Sequence, residues 1–161
     1  DKVEKFIPAQ KGKTHVLHII RELLSFEPSS SGTDIAQALQ YFANAQKRHC
    51  TAFLISDFIG SGTMYKPLLI ASNRHELNAI QIYDRREAEL PNVGLVKFHD
   101  AETGGDLWVD TSIAAVRNEY AKTWNDNQNE LQQLFTRTGV NNISIRTDED
   151  YVKALMHLFR C

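Results

Sequence analysis

The chain has 161 residues, 42% of them hydrophobic and 24% charged, which suits a soluble globular protein with enough length for one domain around its own core. A formal net charge of −2 lacks the basic surplus that phosphate backbones and anionic membrane surfaces select, so neither is an expected partner. No apolar run is long enough to span a bilayer, and no signal peptide is visible.

In chain order, VEKFIPA (3–9) carries Val3, Phe6 and Ile7 on a β-prone stretch that closes on Pro8, the pattern of an edge strand or a strand end. THVLHIIRELLSF (14–26) sets Val16, Leu17, Ile19, Ile20, Leu23 and Leu24 at helical spacing behind a candidate N-cap, Thr14. EPSSSG (27–32) reads as a loop. TDIAQALQYFANAQKR (33–48) predicts a second amphipathic helix with Ile35, Leu39, Phe42 and Ala43 on one face. TAFLISDF (51–58) is a continuous apolar run, expected to be a strand buried on both faces. After the glycine-containing loop IGSGTMY, KPLLIASNRH (66–75) predicts a short helix with Pro67 in its first turn.

NAIQIYD (78–84) predicts a further strand, and RREAELP a charged, solvated connector. VGLVKFHDAETGGDLWVD (93–110) predicts a β-hairpin, because two alternating runs flank a turn whose glycines tolerate positive φ. A long polar helix follows from about Ser112 to Thr138, with Gly139 as its C-cap. NISIRT (142–147) is a last strand, and DEDYVKALMHLFR (148–160) a last helix whose acidic start suits its dipole. This alternation predicts an α/β fold, a parallel sheet with flanking crossover helices and the hairpin as an insertion. No repeat or linker interrupts it, so residues 1–161 read as a single domain.

Ligands of open α/β sheets bind beyond the carboxyl ends of the strands, and Asp57 sits at such an end. A carboxylate there can hold a metal, act as base or nucleophile, or cap a turn. SSSGTD (29–34) offers hydroxyls just before a helix. They can serve as an N-cap, or complete an oxygen shell around a hard divalent cation. Other features carry less. GKT in KGKTHV lacks the earlier glycine of a phosphate-binding loop, since position 7 is Ile, and GSGT (60–63) has no lysine. His15 and His18 have no further ligand nearby in the sequence. Trp108 and Trp124 read as packing residues. Cys50 and Cys161, with no CxxC, read as free thiols of a reducing compartment, and with no signal visible this points to the cytoplasm.

SGTDIAQAL followed by FLISDF resembles the central part of a von Willebrand factor A-like domain. IYDRREAELPNVGLVKFHDAETG and NISIRTDEDYVKALMHLF more closely resemble the bacterial von Willebrand A-like proteins of domain-of-unknown-function family fifty-eight. VEKFIPAQKGKTHVLHIIRELL also fits, so the resemblance runs along essentially the whole chain. It implies a Rossmann-like sheet with a metal-ion-dependent adhesion site at its carboxyl edge. In such a site a DxSxS strand, a loop Thr and a later Asp hold magnesium or manganese. By position, Thr33 matches the loop Thr and Asp57 the later Asp.

The chain has no DxSxS, and DTS (110–112) lies too far along and lacks the second Ser. It begins at Asp1 rather than Met, so it reads as the C-terminal part of such a domain, without its N-terminal strands and with no metal of its own. A piece of this kind is expected to oligomerise, swap elements or rearrange its sheet. The resemblance implies a non-catalytic interaction module, working with a MoxR-type AAA ATPase. The alternative is a phosphotransfer or hydrolase-type enzyme using Asp57, though Tyr83–Asp84–Arg85 at the next strand end supplies no lysine.

Overall fold

Three short strands frame the chain, whose computed structural model describes residues 2–29, 32–59, 63–99 and 104–159. In order the elements are α1 (Lys13–Ser25), α2 (Ile35–Ala45), β1 (Thr51–Ser56), α3 (Tyr65–Arg74), β2 (Glu76–Tyr83), α4 (Arg85–Ala88), β3 (Leu95–His99), β4 (Asp106–Asp110), α5 (Ala114–Thr138), β5 (Asn141–Arg146) and α6 (Tyr151–Leu158). β1, β2 and β5 form a parallel sheet in that spatial order, while β3 and β4 make a separate antiparallel hairpin. The result is a mixed α/β fold with flanking helices, compatible with a Rossmann-like architecture.

Residue period divides the sheet into two faces. On one, Ala52, Leu54, Leu77 and Ala79 meet Ile35 and Leu39 of α2, Leu68 and Ala71 of α3, and Phe135 of α5. Both crossover helices, α3 and α5, therefore lie on the same side, as one crossover hand requires when the sheet grows in one direction. On the other face, Ile80, Ile143 and Ile145 are covered by Ala154, Leu155 and Leu158 of α6.

That second cover is partial, and it corrects the expectation of a strand buried on both faces. β1 alternates between half-buried and exposed positions. Ile55 is 60% exposed, and Phe53 is met there by the ring of Phe159, 5.7 Å away centre to centre. An apolar run states that both faces can be buried, not that a second layer covers them.

The same reason undoes the reading of the N-terminal stretch. Residues 2–11 form no strand: Pro8 brings no N–H, and all the pairings of the parallel sheet are made among β1, β2 and β5. Side chains hold the segment instead. Glu4 accepts from the Ser29 backbone N–H at 3.0 and 3.1 Å, Lys5 pairs with Glu22, and Phe6 meets Tyr41 edge-on. α1 follows, but none of its residues is buried, and Leu24 is 85% exposed. Its N-cap is Gly12 at φ 110°, with Thr14 inside the first turn rather than at the cap.

Other boundaries move by a few residues. α2 runs from Ile35 to Ala45 rather than over 33–48, and Asp34, the last residue of SSSGTD, is its N-cap, accepting from Gln37 N–H at 2.8 Å. The connector RREAELP contains a helical turn, α4, closed by a capping box: Asp84 accepts from Arg86 N–H at 2.8 Å, and Glu87 Oε1 accepts from Asp84 N–H at 2.9 Å. The expected C-cap holds, with Gly139 at φ 65°, a left-handed conformation that costs glycine little.

Thr111 fastens the base of the hairpin. Its hydroxyl donates to Gly94 C=O at 2.7 Å and accepts from Val93 N–H at 3.0 Å, in a position with 1% exposure. Arg117 Nη1 donates to the Thr111 carbonyl at 2.6 Å, tying the same point to α5. Thr111→Val keeps the shape and strands the Val93 donor. It is expected to cost about 1–3 kcal/mol, read as a lower urea midpoint at unchanged slope.

Candidate functional site

The carboxyl edge of the sheet gathers the oxygen-bearing residues. Asp57 follows β1, Asp84 follows β2, and Thr147 and Asp148 follow β5. Asp57 Oδ1 accepts from Ile59 N–H at 3.1 Å, and Ser56 Oγ accepts from Phe58 N–H at 3.1 Å. This tight turn puts Phe58 at φ 59°, unusual for a bulky residue. Burial of its ring against Phe135, 5.3 Å away and edge-on, offsets that strain.

A polar chain runs across the sheet below the turn. Gln81 Nε2 donates to the Asp57 carbonyl at 3.3 Å, and Ser144 Oγ donates to Gln81 Oε1 at 2.8 Å. The register aligns Ser56, Gln81 and Ser144, so the sheet itself builds this chain. Next to it, Thr147 Oγ1 donates to Asp84 Oδ2 at 3.2 Å. The Asp84 carboxyl is held below the usual carboxylate range, first by the Arg86 N–H bond and further by Thr147.

Between this edge and α5 lies an open cavity of about 860 Å³. Asp57, Phe58 and Gln81 line the strand side, and Tyr120, Trp124 and Leu131 the helix side. Glu87, Glu119 and Glu130 add three further carboxylates, and no Lys, Arg or His lines it among the described residues. Burial, followed by the Glu87 charge, pushes the Tyr120 hydroxyl above its ordinary value, and that hydroxyl donates to Arg86 C=O at 3.3 Å. Trp124 meets Tyr83 with ring centres 5.2 Å apart and planes tilted by 39°, so it packs as expected, whereas Trp108 on the hairpin is 61% exposed and does not.

Of the two sequence-predicted ligands, Asp57 lines the cavity and Thr33 does not. Thr33 is exposed, directly before the α2 cap, and no hydrogen bond joins the two among the described residues. No group of three or more His, Cys, Asp or Glu able to hold a metal occurs among the described residues. Ser30 and Ser31 of the serine loop, Gly60 to Gly62 of the glycine loop, and Cys161 lie outside the described residues. Cys50 is a free thiol, its Sγ 3.6 Å from His75 Nδ1 at the opposite edge of the sheet. Sequence reasoning missed Gln81, Glu87 and Tyr120. Only Glu87 left a local signal, the D-x-x-E spacing of a capping box from Asp84.

The profile of a family described as Protein of unknown function DUF58 matches residues 1–130. The chain belongs to this family. Uncharacterized proteins of Mycobacterium tuberculosis and Mycobacterium bovis are each 30% identical to this DUF58 chain over 150 residues, covering 91% of it and 46% of their own length. An uncharacterized protein of Mycobacterium avium is 28% identical over 158 residues, covering 96% of this chain and 92% of its own. The DUF58 chain thus spans about half the length of the first two relatives. No solved structure matches it. No helix among its described residues is long and apolar enough to cross a membrane.

Proposed function

We propose that this DUF58 chain belongs to a non-catalytic, cytoplasmic protein-interaction module of the von Willebrand factor A type, working with a MoxR-type AAA ATPase. The observation that carries this reading is Asp57, an exposed carboxylate at the carboxyl end of an edge strand in a parallel sheet. The outer edge of β1 has no strand partner among the described residues, which leaves room beside Asp57 for the strand that a DxSxS motif would occupy.

Thr33 and Asp57 alone do not fit a divalent ion. Two oxygen donors fall well short of the octahedral shell of magnesium, and Asp57 Oδ1 is already engaged by the Ile59 N–H. The reading therefore requires that the remaining donors come from a DxSxS segment beyond these residues. Calorimetric titration with magnesium and manganese tests it, on this chain and on a longer version carrying an upstream DxSxS. Only the longer version is expected to bind. Asp57→Asn, which keeps the turn acceptor and removes the charge, should weaken that binding at least about tenfold. No binding by the longer version would leave Asp57 as a turn cap.

A further inference from the structure

α1 turns its apolar side away from the rest of the chain. His15, Ile19 and Glu22 are half-buried and form one stripe at helical spacing, so this is the face laid on the protein. Glu22 is held there by its pair with Lys5. Val16, Leu17, Ile20, Leu23 and Leu24 fall together within an arc of about 120° beside that stripe, at 3.6 residues per turn. They are 55%, 64%, 47%, 75% and 85% exposed. At roughly 150–200 Å² for each fully exposed residue, the five leave about 500 Å² or more of largely apolar surface open, the size of patch that marks an interaction site.

We propose that this face pairs with the same face of a second copy of the chain, the two α1 helices lying antiparallel. The pattern is self-complementary. Lys13, Leu17, Ile20, Leu24 and Glu27 recur at alternate spacings of four and three, the seam of paired helices. A two-fold axis at Ile20 sets Ile20 on Ile20, Leu17 level with Leu23 and Val16 level with Leu24 of the second copy. The same axis brings Lys13, the first residue of α1, level with Glu27, two residues beyond the end of the other α1. Opposite charges thus close both ends of the apolar seam, whereas a parallel pair would set Lys13 against Lys13 and Glu27 against Glu27. Two copies together bring about 1,000 Å² or more to the contact, the size at which specific interfaces begin. An anionic lipid surface fits less well, because the formal charges of α1 are only Lys13 and Arg21 against Glu22. The pairing goes beyond the adhesion-site reading and uses neither Asp57 nor a metal.

Sedimentation equilibrium over about 1 to 200 μM chain tests it. EDTA and a reductant are present, so that neither a metal nor a disulfide of Cys50 or Cys161 can join two chains. A dimer with a dissociation constant in the micromolar range is expected. Ile20→Glu sets two like charges on the axis and should weaken association at least about tenfold. Its urea midpoint should stay close to that of the parent, because Ile20 faces outward in each chain. Lys13→Glu and Glu27→Lys should each weaken association about threefold at low salt, and the double variant should restore it. Ile55→Lys, on the open edge strand, is the control and should leave association unchanged. A monomer throughout the range, with or without Ile20-dependent binding to phosphatidylglycerol vesicles, would overturn the proposal. So would a dimer that survives Ile20→Glu, one lost with Ile55→Lys, or no rescue by the double charge reversal.

Discussion

Phe135→Ala should lower the unfolding free energy by about 3–5 kcal/mol, the usual cost of deleting a buried phenyl ring. Phe135 is 2% exposed near the end of α5, inside the cluster formed by α2, α3 and the sheet. Its ring meets Phe58 at 5.3 Å with planes 80° apart, an edge-to-face pair that adds to burial. The backbone of Phe135 accepts from Val140 N–H at 3.0 Å and is untouched by the change, so the α5 terminus should persist. The effect should reach the site. Phe58 keeps its φ of 59° in the turn that carries Asp57, and without Phe135 its ring loses the partner that holds it there. Hydrogen exchange at Ile59 N–H, the donor to Asp57 Oδ1, should accelerate more than exchange along β5. A urea midpoint close to that of the parent would show that the ring does not anchor the turn.

Leu68→Ala is the second large effect, expected at about 2–5 kcal/mol. Leu68 has 0% exposure, and its cluster neighbours Ala71 and Ala79 are also at 0%. Alanines cannot swing into the space that a lost isobutyl group leaves, so the cavity persists and the cost belongs toward the upper half of that range. Ile70, two residues on in the same helix, is 48% exposed and serves as the control. Ile70→Ala should cost about 1 kcal/mol or less by urea denaturation, since little apolar area leaves water there. Equal losses at the two positions would mean that the face of α3 assigned to the core is wrong.

Several elements were legible because their causes are local. The 3.6-residue pattern and Gly139 mark most of α5 and its end. Pro67 in a first turn marks α3, and alternation around a glycine turn marks the β3–β4 hairpin. Cavity residues were harder. Gln81 reads as a polar interruption of a strand until the register sets it between Asp57 and Ser144. Glu87 and Tyr120 come from separate elements, and no sequence spacing predicts that α5 passes over the carboxyl edge.

The sequence by itself determined most of the alternation of helices and strands, the Gly139 end of α5, and a carboxylate at the end of β1. It also carried the family, whose profile covers residues 1–130. Only the tertiary structure decided which apolar faces are covered. α1 and β1 have the patterns of buried elements, yet Leu24 and Ile55 face solvent while Leu68 does not. Periodicity records what a segment can bury. Burial itself depends on a second element arriving from elsewhere in the chain, and that is a long-range contact no local pattern encodes.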